Sequence, residues 1–196
     1  MCAPDRTLYS PGMSANESAT QVSAPVPDSQ LARRNGPMRV IYQIIAVVVA
    51  AEVAIQAALV VWGDAGLGRY VDQVGVVDKS TFESAFEGGP MPFPEFVGLL
   101  LHGLNGMVII PSLALLLLLS SFFAKVPRGV VFALAVLGLV VLQATLGLGG
   151  HAIPFLGALH GINALVLFST AMWTGLRVSR ANRTSQAEQL PEPAAV

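Results

Sequence analysis

One stretch of this chain, from Gly129 to Leu176, contains no Asp, Glu, Lys or Arg over 48 residues. Water-soluble domains are about one quarter charged, so a soluble fold does not accommodate an uncharged run of this length. The chain as a whole is 54% hydrophobic and only 12% charged. We therefore predict an integral membrane protein whose main partner is the lipid bilayer.

Four segments are long and apolar enough to cross a bilayer as helices, which takes about 20 residues each. A cluster of Gly147, Gly149, Gly150 and Pro154 divides the uncharged run into two of these segments. The predicted fold is an all-α, integral membrane four-helix bundle over residues 38–178. Its spans are predicted at about 38–62, 95–124, 128–149 and 155–177.

The remaining segments are polar or rich in turn-forming residues. Disordered tails are predicted at 1–37 and 179–196, because both are rich in small and polar residues and lack an apolar core. The loop between the first two spans, 63–94, has room for a short amphipathic helix around Asp78–Glu87. Within the second span, Pro111 predicts a kink, because proline has no N–H to donate inside a helix.

The basic residues are distributed unevenly between the two sides of the predicted bundle. Nine of the eleven Lys and Arg residues lie in the tails, at the first or last residues of the bundle, or in the connection after the second span. The positive-inside rule therefore predicts that both termini are cytoplasmic and that the 63–94 loop lies outside. The net charge is −1 and no basic stripe is present, so nucleic acid is not an expected partner.

Two pairs of similar segments predict that the bundle is a tandem duplication of a two-helix hairpin. Leu-His-Gly-Leu-Asn-Gly at 101–106 resembles Leu-His-Gly-Ile-Asn-Ala at 159–164. Ile-Gln-Ala-Ala-Leu at 55–59 likewise resembles Leu-Gln-Ala-Thr-Leu at 142–146. Parallel repeats of this kind are a common way to build a membrane bundle with a site between the copies.

The repeat places polar side chains at matched depths in the outer leaflet. His102 and His160 lie about seven and six residues from the outer ends of their spans, which is ~10 Å at the rise of an α-helix. Gln56 and Gln143 lie about six residues from the outer ends of the other two spans. Such a polar layer is costly in lipid unless its members are paired or used.

This layer has the composition of a haem site. Two facing imidazoles can occupy both axial positions of a haem iron while the bundle encloses the macrocycle. Gly103 and Gly161 would leave room for a porphyrin edge or a neighbouring helix. Asn105 and Asn163, at i+3 from the histidines, would fix helix packing or hold a haem substituent. Two alternatives stay open: a purely structural layer of hydrogen bonds, and a site for copper, zinc or another ligand.

Two further residues are candidates for a function. Glu52 is the one acid well inside a span and lies one turn before Gln56. It could move protons, pair with a ligand, or hydrogen-bond in its protonated form to a neighbouring helix. His151, between the third and fourth spans, could gate the site, replace an axial ligand, bind a metal or be solvated.

Part of the chain resembles one half of haem A synthase, whose four-helix halves each hold a haem between two histidines. The resemblance rests on Leu142–Gly147, on Pro154 and on Ala158–Phe168. The chain also resembles a family of small four-helix bacterial membrane proteins with the paired Leu-His-x-x-Asn pattern and no assigned activity. The resemblance implies that His102 and His160 are axial ligands of a haem. Haem A synthases are twice as long, with an outer-loop cysteine pair and a glutamate one turn before the first ligand, which this chain lacks.

We therefore expect a half-size haem-binding relative, a multi-pass protein of the bacterial plasma membrane. It would hold a b-type haem for electron transfer or haem handling, with a redox protein or a quinone as its partner. Alternatives of other classes are a membrane subunit or scaffold without cofactor, and a small transporter that uses Glu52. Enzymatic activity and oligomeric state stay open at this point.

Overall fold

The computed structural model describes residues 36–76 and 78–187, with side chains as far as Arg180. The predicted tails fall largely outside these ranges, at 1–35 and 188–196. The described part of the chain is entirely helical, without strands. Its helices are α1 (Pro37–Val74), α2 (Lys79–Phe86), α3 (Phe96–Ala124), α4 (Gly129–Gly150) and α5 (Pro154–Ala187).

Four of these helices, α1, α3, α4 and α5, are long and apolar enough to cross a membrane. This confirms the prediction of an all-α bundle with four membrane-spanning helices. One end of the bundle carries Arg39, Lys125, Arg128 and Arg177, and we call it the basic end. The opposite end carries α2, and we call it the loop end.

Helix α1 continues well past its predicted end at residue 62. It runs to Val74, and Gly75 then ends it with a positive φ of 86°. The prediction of a loop over 63–94 is therefore wrong for 63–74. The physical reason is close packing: Gly63 and Gly66 are buried against Leu99 and Glu95 of the neighbouring chain segment, which leaves no room for a larger residue. A helix can leave the apolar layer without ending.

The short helix predicted around Asp78–Glu87 is confirmed as α2. The Asp78 carboxylate caps it by accepting a hydrogen bond of 3.1 Å from the backbone N–H of Ser80. A second apolar cluster then covers the loop end of the α1–α3 pair. Its buried residues are Ala85, Phe93 and Phe96, and the side chains packed against them are Leu67, Tyr70, Phe82, Leu99 and Leu100.

Helix α3 contains one turn of π-helix over Asn105–Ile109, just before Pro111. Pro111 cannot donate to the carbonyl four residues earlier, and its ring would clash with that carbonyl. The wider turn instead pairs the N–H of Ile110 with the carbonyl of Asn105. The irregularity predicted at Pro111 therefore takes the form of a π-helical turn on its N-terminal side.

Helix α5 ends at Ala187 rather than at the predicted residue 177. The predicted disordered tail from 179 is thus wrong through 187. No glycine or proline occurs between Arg177 and Ala187 to stop the helix. The Arg177 guanidinium also lies 4.3 Å from the centre of the Phe132 ring, a cation–π contact that ties this part of α5 to α4.

The main hydrophobic core lies in the half of the bundle nearer the basic end. Its buried residues extend from Tyr42 to Val53 on α1, and over matching parts of α3, α4 and α5. The Tyr42 hydroxyl donates a buried hydrogen bond of 2.9 Å to the carbonyl of Gly129, where α4 begins. In the other half, the α3 segment Phe96–Leu104 packs on α1 and makes few contacts with α4 or α5. The first part of α3 thus lies apart from α4 and α5.

Candidate functional site

His102 of α3 and His160 of α5 lie next to each other, on the loop-end side of the main core. Their ring centroids are 6.3 Å apart and the ring planes are inclined by 56°. Both side chains are half-buried. The structure therefore brings together the two histidines that the sequence repeat singled out.

Each histidine ring makes the same hydrogen bond to the partner helix of its own hairpin. The Nδ1 of His102 lies 3.0 Å from the backbone carbonyl oxygen of Gln56, and that of His160 lies 2.9 Å from the carbonyl oxygen of Gln143. A carbonyl can only accept, so each Nδ1 carries a hydrogen. In a neutral ring this leaves Nε2 with its lone pair available to a ligand.

The two glutamine side chains, in contrast, differ in the hydrogen bonds that they make. The Gln56 amide nitrogen donates to the carbonyl oxygen of His102 at 2.6 Å. The Gln143 amide oxygen instead accepts a hydrogen bond of 2.6 Å from the amide nitrogen of Asn163. Both glutamines therefore belong to the polar layer, as the sequence predicts, but it is their main chain that contacts the imidazole rings. Sequence reasoning missed these carbonyls, because every residue has one and no residue type marks it.

The two asparagines are buried and bond to positions that correspond in the two hairpins. Asn105 is 5% exposed and donates to the Glu52 carboxylate at 3.1 Å. Asn163 is 7% exposed and donates to the carbonyl oxygen of Leu139 at 3.0 Å. Glu52 and Leu139 each lie four residues before the glutamine of their helix. Glu52 is therefore a member of the polar layer, hydrogen-bonded to a neighbouring helix.

The glycines at the site are not the ones that sequence adjacency predicted. A Cβ on Gly103 or Gly161 would meet nothing within 4 Å, so the prediction that they allow another helix of this chain to approach is wrong. Because each follows its histidine directly, it lies about 100° further around the helix. The close approaches are at Gly147, where a Cβ would lie 2.9 Å from the His160 ring, and at Gly106, beneath the Gln56 amide.

The ligand set distinguishes between the kinds of metal that the site could hold. Over residues 36–76 and 78–187, no three His, Cys, Asp or Glu side chains converge on one point. Zinc sites in proteins take at least three protein ligands, whereas haem iron already has four porphyrin nitrogens and needs only axial ligands. His151 is exposed at the end of α4, outside the histidine pair. Two imidazoles alone are therefore too few for a zinc site of this kind, but they could serve as the axial pair of a haem.

Comparisons of the chain with known protein families, with curated proteins and with solved structures found no match.

Proposed function

We propose that this chain is a membrane haem protein that holds a b-type haem between His102 and His160. The observation that carries the proposal is the adjacent pair of imidazoles, whose ring centroids lie 6.3 Å apart and whose Nδ1–H groups are both engaged by main-chain carbonyls. This is the usual arrangement of metal-ligating histidines, whose second nitrogen is held by a carbonyl or carboxylate.

The dimensions of the histidine pair are compatible with haem. Two imidazoles on opposite sides of one metal, each bonded at about 2 Å, have ring centres about 6 Å apart. The observed separation is 6.3 Å. The α3 segment Phe96–Leu104 makes few contacts with α4 or α5, and apolar side chains such as Leu104 and Ile162 are more than half exposed near the histidines. A flat apolar macrocycle suits such apolar surroundings.

Each residue of the site has a distinct role in this proposal. The carbonyls of Gln56 and Gln143 hold the rings in one orientation and make Nε2 a better electron-pair donor. Asn163 and Gln143 fix α5 against α4 close to His160. When bound, haem supplies reversible one-electron transfer, and a redox protein or a quinone would exchange the electron.

We also propose that the bundle arose by tandem duplication of a hairpin and that its basic end faces the cytoplasm. The shared histidine–carbonyl bond at corresponding positions supports the duplication. The cluster of arginines and lysine at one end supports the orientation.

A second candidate function is a membrane subunit or scaffold without a cofactor. The bonds from Asn163 to Gln143 and Leu139 favour it, since they pair part of the polar layer within the chain. This candidate leaves both Nε2 atoms without a use.

An absorption spectrum separates the two functions. We expect the protein purified from haem-replete cells to show a Soret band, and the His102→Ala, His160→Ala double variant to lack it. His151→Ala is the matched control and should keep the band. A wild-type protein without a Soret band, or a double variant that retains it, would refute the haem proposal.

A further inference from the structure

The two hairpins differ at one position of the polar layer. Asn105 donates to a carboxylate, that of Glu52, whereas Asn163 donates to the main-chain carbonyl of Leu139. The first hairpin thus carries an ionisable group at the place where the second carries an alkyl side chain. The two histidine–carbonyl bonds are alike, so this difference is not needed to orient a ring.

The same hairpin contains two buried oxygens that lack a donor. The Gln56 Oε1 and the Asn105 Oδ1 are buried and, in the part of the chain that is described, have no hydrogen-bond partner. Leaving such an acceptor unpaired is unfavourable, because the atom has lost its hydrogen bonds to water. The two residues flank Glu52: Gln56 is four residues later on α1, and Asn105 is already bonded to its carboxylate.

A proton on Glu52 would supply a donor for one of these two oxygens. An ionised carboxylate only accepts hydrogen bonds, whereas a protonated one has an O–H to donate. The site therefore has a surplus of acceptors that one proton at Glu52 reduces. The Asn163 and Gln143 side chains of the second hairpin have no buried unpaired atom among the described residues.

Few other charged or titratable groups face Glu52. Between Phe96 and Ala124 the one titratable residue is His102, and between Pro154 and Leu176 it is His160. Helix α4 contains none within Gly129–Gly150. A change of charge at the histidine pair would therefore act on Glu52 through a medium of low dielectric constant, where charge interactions are strong.

We propose that Glu52 is a redox-linked proton site, which takes up one proton when an iron held by His102 and His160 gains one electron. This rests on the proposed function. The electron comes from an external one-electron reductant and converts ferric to ferrous iron. The proton comes from the aqueous phase and converts the Glu52 carboxylate to the carboxylic acid. The total charge of the layer is unchanged, which limits the cost of reduction in lipid.

The test is a redox titration of the haem-loaded protein in detergent, with soluble mediators, at several pH values. We expect the wild-type midpoint potential to fall as the pH rises, because reduction then draws a proton from the solution. The slope of midpoint potential against pH should approach about 59 mV per pH unit, which for one electron is a tenfold change in the equilibrium constant. The midpoint potential of the Glu52→Gln variant should be independent of pH over this range. It should equal the potential that the wild type reaches at acid pH. Glu95→Gln, which removes an acid paired with Arg69 at the start of α3, is the control and should keep the slope.

Wild-type measurements give an independent readout should Glu52→Gln fail to fold. A pH indicator should record uptake of about one proton per electron. The reduced-minus-oxidised infrared spectrum should gain a carboxylic acid band. A wild-type potential that does not change with pH, or a slope that survives in Glu52→Gln, overturns the proton site while the Soret band upholds the haem proposal. Absence of the Soret band from wild type refutes both.

Discussion

At the scale of single residues, main-chain carbonyls orient both histidines. The acceptors are the carbonyl oxygens of Gln56 and Gln143, within two helices that continue past them. A carbonyl has two lone pairs, so it can serve its own helix and a neighbouring ring together. Substituting either glutamine side chain therefore does not by itself remove the bond that orients the imidazole.

Gly147 sets how closely His160 can lie against α4. A Cβ at this position would come within 2.9 Å of the ring Cε1 and 3.0 Å of Nδ1, so we expect Gly147→Ala to displace the ring. The change should shift or weaken the Soret band and raise the haem dissociation rate at least several-fold, since ligand geometry depends on the Nδ1 bond.

Gly138→Ala, on the same helix and outside the site, is the matched control, because its Cβ would enter open space. It should leave both the spectrum and the dissociation rate unchanged. Equal effects of the two substitutions would contradict the role given to Gly147.

The sequence alone predicts which residues share the polar layer, but not how they bond. Matched depth places His102, His160 and both glutamines together, since helical rise is fixed. The pairing of Asn105 with Glu52 depends on how α1 and α3 are rotated about their axes, which follows from packing. For the same reason the sequence does not predict the close approaches at Gly106 and Gly147, because being next to a histidine in the chain does not mean sharing its face.

At the scale of elements, the ends of the helices do not coincide with the ends of the segments predicted to lie in lipid. Hydropathy indicates where a segment leaves lipid, so α1 was predicted to end near residue 62. The helix instead continues for three further turns, because Arg69 forms an ion pair of 2.8 Å with Glu95 and apolar residues pack beneath it. Contacts of this kind between distant residues leave no periodic pattern in the sequence, so the sequence alone does not predict them.

The capping of α2 gives a pH-dependent prediction. The hydrogen bonds from Ser80 hold the pKa of Asp78 below its usual value of 3.8. A lowered pKa in the folded protein means that the cap stabilises α2 fully above pH 3.8 and is lost as the pH falls through the folded pKa. Asp78→Ala should therefore speed hydrogen exchange in α2 at neutral pH, and the difference from wild type should vanish in acid.

Hydrogen exchange followed by mass spectrometry over Lys79–Phe86 measures this effect. Asp72→Ala, an exposed acid near the end of α1, is the control and should not change the exchange of α2. If Asp78→Ala also left exchange unchanged at neutral pH, the cap would have no part in holding the helix.

At the scale of the whole molecule, the apolar core that all four long helices share lies towards the basic end, and the first part of α3 makes few contacts with α4 or α5. The buried apolar residues that join all four long helices lie on the basic side of the histidines. The number of spans could be predicted from the sequence, because long uncharged runs are typical of segments that lie in lipid. The uneven packing could not, since both halves of each helix are similarly apolar.

The proposed orientation is tested by labelling single cysteines. Cys2 is the one native cysteine, so Cys2→Ser gives a cysteine-free background. Into it we would place Ser84→Cys at the loop end or Pro127→Cys at the basic end, both exposed positions. A membrane-impermeant maleimide added to intact cells should label the first variant and spare the second.

After permeabilisation both variants should react, which controls for access to each thiol. Labelling of Pro127→Cys alone in intact cells would reverse the proposed topology.

The unbroken length of α1 has a mechanical consequence. Its 38 residues extend over about 57 Å at 1.5 Å per residue, nearly twice the ~30 Å of a hydrocarbon layer. The same rod carries the carbonyl that orients His102 and, three to four turns further on, the arginine that grips Glu95. A molecule that tilts the loop end of α1 would therefore also displace the Gln56 carbonyl oxygen, which accepts the hydrogen bond from His102. A displacement of the loop end of α1 would therefore be passed along one continuous helix to the carbonyl that orients His102.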